Sequence, residues 1–307
     1  MSLEDIAAAI PRLIAARVSR VTLTGGEPFV HPAILEIVEL LVRNDLSVTI
    51  CTNAVSITPE QIQSLRRHIG VGVNVSLDGF SADSHGQFRG DRCSFDLTVT
   101  HTRELAEAGL LKGILCTPNA LAKPSEYEEL YDFARGLGAE YVLMNPLSSF
   151  GRGMKAGRRL RADELTMRSI QTDIESLATP ADGTEAVFIR FPNDRRPLSG
   201  CVAGDIVYVF VEGDTAVCPY LVFAAKNASS KYAPDEFIAG NLFKDDDFSI
   251  RLDSYGFHDR YDVASNSTCK TCDIKGSCGS GCPAAVIAAG GSIGDLDAEV
   301  CPRVPAK

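Results

Sequence analysis

Four cysteines crowd the stretch CKTCDIKGSCGSGC, which runs from Cys269 to Cys282 in the spacing C-x2-C-x5-C-x3-C. Cys201, Cys218 and Cys301 lie in the same C-terminal part, so seven of the ten cysteines fall between 201 and 301. Thiolates this close repel one another and oxidise when left free. A soft metal ion or an inorganic cluster that takes up their charge removes both problems. Two ligand chemistries fit. Two cysteine pairs make a tetrahedral zinc site, and C-x2-C is a common half of one. Thiolates are also the usual ligands of iron–sulfur clusters. Spacing alone does not choose between them. Disulfides rank behind both: the opening stretch MSLEDIAAAIPRLIAARVSR lacks the basic-then-apolar pattern of a signal peptide, and thiols in a reducing compartment stay reduced.

A second group of residues with chemical potential lies near the start, in VTLTGGEPFVHP. Gly25-Gly26-Glu27-Pro28 directly follows a strand-like run. Two residues without Cβ let the backbone approach a ligand closely. Their N–H and C=O groups, with the Glu27 carboxylate, suit a ligand ammonium group.

The elements that must position these residues follow a regular rhythm. Ser2 and Asp5 form a capping box that opens a helix. Strand-like runs RVTLTGG, SVTICTN, VGVNVSLDG, LLKGILCTPN and AEYVLMNPL then alternate with helical stretches near 32–44, 58–68, 95–109, 125–138 and 162–178. Strand and helix in alternation mean parallel β/α units, in an open sheet or a partial barrel. Gly25, Gly26, Thr52, Asn53, Asp78, Gly79, Asn119 and Asn145 stand at C-terminal strand ends, the edge where such folds bind ligands. Turn residues collect at strand ends for purely local reasons as well. Past about 185 the rhythm gives way to a hairpin, IVYVFVEGDTAVCPY, turning at Glu212-Gly213-Asp214, and then to irregular sequence rich in Asp, Ser, Gly and Cys. The small residues of ATPADGTEA mark a boundary there, giving parts 1–185 and 186–307. A net charge of −10 argues against nucleic acid as the main partner. No apolar run is long enough to span a membrane.

Taken together, these motifs resemble the radical S-adenosylmethionine (SAM) superfamily, in its branch with a C-terminal SPASM domain. The carrying residues are Gly25-Gly26-Glu27-Pro28, CTN at Cys51–Asn53, VSLDG at Val75–Gly79, the H-x-x-x-R element in HGQFRG at His85–Gly90, and NPLSSFGRG at Asn145–Gly153. The SPASM pattern, C-x9–15-G-x4-C, C-x2-C-x5-C-x3-C and a last C, is matched by Cys201, Gly213, Cys218, Cys269, Cys272, Cys278, Cys282 and Cys301. The resemblance covers nearly the whole chain and favours iron–sulfur over zinc.

It implies an α/β fold: a partial (β/α)6 radical SAM barrel over 1–185, then a small irregular α+β SPASM domain over 186–307. It implies that the glycine loop binds the amino group of SAM. Ser76 and Arg89 would bind the SAM carboxylate, and Asn53 and Asp78 would line the same mouth. Cys201, Cys218 and Cys282 would hold one auxiliary 4Fe–4S cluster, whose fourth ligand is open. Cys269, Cys272, Cys278 and Cys301 would hold a second. The implied activity is generation of a 5′-deoxyadenosyl radical that modifies a peptide or protein side chain, or a small molecule. An electron donor such as flavodoxin or ferredoxin and a cytoplasmic location go with it. The family's C-x3-C-x2-C triad and first barrel strand are absent from the sequence. Truncation is the favoured explanation. The alternatives are a relative that keeps its clusters for binding or electron transfer, or a strand supplied by another polypeptide. Cys51, Cys93 and Cys116 are expected to be small buried hydrophobes.

Overall fold

The computed structural model describes residues 1–148, 159–179, 183–191 and 196–304. Helix α1, Leu3–Ala15, begins as expected: Ser2 Oγ accepts from the Asp5 N–H at 3.1 Å and Asp5 Oδ2 accepts from the Ser2 N–H at 2.8 Å. Strand β1, Arg20–Leu23, leads to helix α2, Ile34–Arg43. Ile34, Ile37, Val38 and Leu41 of α2 are buried, the three-and-four spacing of one helix face. Strand β2, Ser47–Thr52, is followed by helix α3, Pro59–Leu65, which a second capping box between Thr58 and Gln61 starts.

The pattern continues with β3 (Val71–Ser76), helix α4 (Ser94–Glu107), β4 (Leu111–Cys116), helix α5 (Pro124–Gly136), β5 (Tyr141–Met144), helix α6 (Glu164–Leu177) and β6 (Glu185–Phe188). All six strands are parallel and lie in chain order, β1 and β6 at the edges. Alternate side chains sort to the two faces, as strand geometry requires. Val48, Ile50, Val73, Val75, Ile114 and Val142 are fully buried in the core that also takes in the helices. Cys51, Asn74, Leu115 and Tyr141 alternate with them and point to the opposite face.

Strand β6 extends the sheet past the expected boundary at 185, pairing from Tyr141↔Glu185 to Met144↔Phe188. Thr184 fixes its start: its Oγ1 donates to the Ala139 carbonyl at 2.6 Å, and its carbonyl accepts from the Tyr131 hydroxyl at 2.8 Å. Four residues beside turn-forming neighbours carry too little periodicity to be legible as a strand. Of the expected exit segment Asn145–Gly153, residues 149–153 lie outside the described residues.

The C-terminal part contains the expected hairpin, β7 (Tyr208–Val209) with β8 (Asp214–Ala216), joined by a third antiparallel strand, β9 (Ile238–Asn241). Its core unites helix α7 (Pro219–Ala225) with the later helix Pro283–Ala288 through Leu221, Val222, Ala284 and Ile287. The two parts meet at several points. Ala9 and Leu13 of α1 pack on Leu242 and Phe248, and the exposed pair Arg12–Asp246 at 3.0 Å adds about 1 kcal/mol at most. On the other side Arg190, just past β6, pairs with Asp297 and, at 2.8 Å, with Glu299.

Candidate functional site

The glycine loop leaves β1 at the C-terminal edge of the sheet. Gly25 has φ +136°, a conformation that favours glycine, and open space faces both Gly25 and Gly26. The Glu27 carboxylate is tied to the neighbouring strand. Its Oε1 accepts from the Thr52 hydroxyl at 2.6 Å and the Phe29 N–H at 3.2 Å, and its Oε2 accepts from the Asn53 N–H at 2.8 Å. Glu27 therefore shapes the loop and leaves the glycine backbone as the exposed surface. Pro28 is buried beneath it. Asn53 closes its own turn, Oδ1 accepting from the Val55 N–H at 2.8 Å.

Strand β3 delivers Ser76 half-buried at its last position, in register with Leu115. Two residues on, Asp78 lies beneath the mouth, where it was expected to line it. It is 0% exposed because every polar group it has is engaged. Oδ2 accepts from Arg89 Nε at 2.5 Å and Oδ1 from the Thr117 N–H at 2.8 Å. Its N–H donates to His85 Nδ1 at 3.1 Å and its carbonyl accepts from Asn119 Nδ2 at 2.6 Å. Burial raises the Asp78 carboxyl above its usual range, while Arg89 and the Thr117 N–H pull it back. Burial, with the Arg89 charge adding, lowers His85 to about 4, so its ring is neutral. The bond from Asp78 puts the ring proton on Nε2, which has no partner among the described residues.

The motif spacing explains the convergence. A π-helical turn, Ala82–Gly86, runs into Gln87–Arg89, so His85 and Arg89, four apart, reach Asp78 from one side. Gly86 packs where a Cβ would stand 2.6 Å from Arg92 Cα.

One layer deeper, a polar row crosses four strands. Cys51, Asn74, Gly113 and Tyr141 are successive register partners of β2 to β5. The Tyr141 hydroxyl donates to Asn74 Oδ1 at 2.8 Å, and Asn74 Nδ2 points at the Cys51 sulfur at 3.9 Å. The Tyr141 ring fills the space a side chain at 113 would need. Sequence reading missed this row because its members are far apart in the chain. It took Cys51 as a buried filler; Cys51 is half-buried and bonded, Cys116 is buried, and Cys93 is exposed at a helix start.

In the C-terminal part the thiols lie in two neighbourhoods. Cys201, Cys218 and Cys282 adjoin. Burial pushes Cys218 up to about 11, with Cys282 and Cys201 adding, while the Tyr220 and Leu221 N–H groups at the start of α7 pull the other way. Burial likewise raises Cys201, with Cys282 adding. Cys269, Cys272, Cys278 and Cys301 line one cavity of about 50 Å³, walled by Leu198, Ile274 and Leu296. Gly279 lets the CGSGC loop lie against the chain ahead of Cys201, since a Cβ there would stand 2.2 Å from the Ser199 carbonyl oxygen. Asp297 Oδ2 accepts from the Cys282 N–H at 3.0 Å and pairs with Arg190, so one ion pair joins the sheet to the first thiol group. Tyr220 adds a second link, its hydroxyl hydrogen-bonded to Asn145 at the end of β5. Among the described residues no three His, Cys, Asp or Glu side chains converge on a single ion-sized centre.

Residues 1–135 match the family model of the radical SAM superfamily. Over that stretch the chain is similar to radical SAM enzymes. Its SPASM-type relatives include mycofactocin maturase MftC of Mycobacterium tuberculosis (strain CDC 1551 / Oshkosh), 28% identical over 282 residues, covering 90% of this chain and 69% of that protein. The antilisterial bacteriocin subtilosin biosynthesis protein AlbA of Bacillus subtilis (strain 168) is 25% identical over 233 residues, 74% of this chain and 48% of that one. The crystal structure of Streptococcus suis SuiB bound to S-adenosylmethionine shares the fold of this chain. Its TM-score is 0.70 at 16% identity, over 94% of this chain and 67% of that one. No helix among the described residues is long and apolar enough to cross a membrane.

The residues present fit two of the groups the family implies. The exposed glycine backbone, Ser76 and Arg89 offer an amino-acid ligand hydrogen-bond acceptors and donors along one edge. Two neighbourhoods of thiols, one around an apolar-walled cavity, have the donor chemistry of iron–sulfur ligands. The residues do not fit a SAM-cleaving cluster, because the sequence contains no C-x3-C-x2-C triad.

Proposed function

We propose that this chain, in a form that carries the C-x3-C-x2-C segment, is a radical SAM enzyme that modifies a peptide or protein side chain, holding SAM on the C-terminal edge of its sheet and two auxiliary 4Fe–4S clusters in its C-terminal part. The observation that carries the cluster assignment is the sorting of the seven thiols. Cys201, Cys218 and Cys282 adjoin, and Cys269, Cys272, Cys278 and Cys301 ring a separate cavity. A peptide substrate follows from kinship with maturases of peptide products.

When bound, the auxiliary clusters would be held by Cys201, Cys218 and Cys282 and by Cys269, Cys272, Cys278 and Cys301, and would supply one-electron chemistry. The chain's own residues do the positioning. The Gly25–Gly26 backbone accepts from the SAM ammonium group, in a loop held in shape by Glu27. Ser76 donates to the SAM carboxylate, and the Arg89 guanidinium binds it through charge-assisted hydrogen bonds. Asn53 stands beside the glycine loop at the rim. Arg190 and Tyr220 tie the first thiol group to the sheet, which supports a cluster on the SAM side of the C-terminal part. Flavodoxin or ferredoxin is the proposed electron donor, and the cytoplasm the proposed compartment.

The test is SAM cleavage under anaerobic, reducing conditions. The chain as it stands should bind SAM without forming 5′-deoxyadenosine. A version extended by an in-frame upstream segment encoding C-x3-C-x2-C should form it. An extended version that carries its full iron and still leaves SAM intact overturns the proposal.

A further inference from the structure

The Asp78 carboxylate is too deep to touch a ligand, being 0% exposed. The residue is held from four directions: its carboxylate accepts from Arg89 and from the Thr117 N–H after β4, its backbone N–H donates to His85, and its backbone carbonyl accepts from Asn119. His85 and Asn119 are 0% exposed, and Thr117, partly exposed, gives only its backbone N–H. Arg89 is the partner whose charged side chain reaches the surface, 33% exposed. Its Nε is given to Asp78, and its two Nη groups have no partner among the described residues.

A guanidinium is planar, so fixing Nε on a rigid acceptor restricts the whole group. The two Nη groups are then left free of that acceptor and available to a carboxylate bound beside it. Asp78 is rigid because it is over-determined. Gly79, next in the chain, has no room for a Cβ, which would stand 2.4 Å from Ser84 Oγ. Ser84 in turn donates to Glu126 of α5, which also accepts from the Phe80 N–H at 3.0 Å.

We infer that Asp78 is a positioning residue, which orients the Arg89 guanidinium for the carboxylate of the bound ligand without touching the ligand itself. The inference rests on the SAM reading above. It adds that the selectivity of the site for a carboxylate-bearing ligand is set by a residue outside the site.

The test uses isothermal titration of the full chain with two probes, SAM and decarboxylated SAM, which differ only in the carboxylate. The wild type should prefer SAM. Asp78→Asn, which keeps the size of the side chain, should weaken SAM at least about tenfold and leave decarboxylated SAM unchanged. Arg89→Gln should do the same, and Asp78→Asn added to it should cost nothing further. Arg89→Lys, which lacks the Nε donor, should not restore the preference.

A wild type that binds neither probe, or both equally, overturns the SAM reading and this inference with it. A wild type that prefers SAM, beside an Asp78→Asn variant that keeps the preference, overturns the positioning role alone. Loss of both probes together in Asp78→Asn makes Asp78 a scaffold residue and overturns it too. So does a further loss on adding Asp78→Asn to Arg89→Gln.

Discussion

The Glu27 carboxylate accepts a hydrogen bond from the Thr52 hydroxyl at 2.6 Å, so one side chain fastens the glycine loop after β1 to the end of β2. Glu27→Ala removes this bond together with those from Asn53 and Phe29. It should cost about 1–3 kcal/mol in urea unfolding and weaken SAM binding. Thr52→Val removes one bond and should cost about 1 kcal/mol. Equal stability of Glu27→Ala and wild type would contradict the fastening role.

The polar row under the mouth depends on a missing side chain. At Gly113 a Cβ would stand 2.5 Å from the Tyr141 ring, backed by the bond from Tyr141 to Asn74. Tyr141→Phe should cost about 1 kcal/mol and leave the ring in place. Gly113→Ala must displace the ring and break the bond with it, and should cost about 1–3 kcal/mol more. Denaturant midpoints of the two variants in the wrong order would disprove this arrangement.

His85 makes stability pH-dependent. Burial holds its folded pKa at about 4, below the ordinary 6.5, so as the pH falls the unfolded chain binds the proton first. The contribution is present in full above about 6.5 and is lost between there and about 4, up to about 3 kcal/mol. The raised Asp78 carboxyl acts oppositely: its contribution is present in full below its ordinary 3.8 and fades as the pH rises above that through its raised folded value. Melting temperatures of wild type and His85→Gln across this range should show the His85 slope only in the wild type.

The two thiol groups should fail separately. Cys282→Ser should remove about four irons per chain, and Cys278→Ser a different four. A variant of Cys282 that retains the full iron load would show that Cys282 is not a ligand.

Much of this site was legible in the sequence because its signals are local. Two glycines after a strand, His85 and Arg89 at helical spacing, and the cysteine spacing are each contained in a few residues. The capping boxes at Ser2 and Thr58 are of the same kind. What was not legible depends on register between distant strands. Nothing near Asn74 announces Tyr141, because the parallel pairing that aligns them is set by cores and crossovers across the whole sheet. Asp78 was misread for a related reason. Its position after β3 resembles that of a rim residue, and only the arrival of Thr117 and Arg89 from other elements engages its carboxylate below the surface. Strand β6 was missed because its partner, not its composition, makes it a strand.

The most direct test of the account is the metal content of the wild-type chain after anaerobic reconstitution with iron and sulfide, zinc being counted alongside. The account predicts about eight irons with matching sulfide, in two 4Fe–4S clusters. A single zinc per chain, or seven C-terminal thiols that titrate free or pair as disulfides, would contradict it.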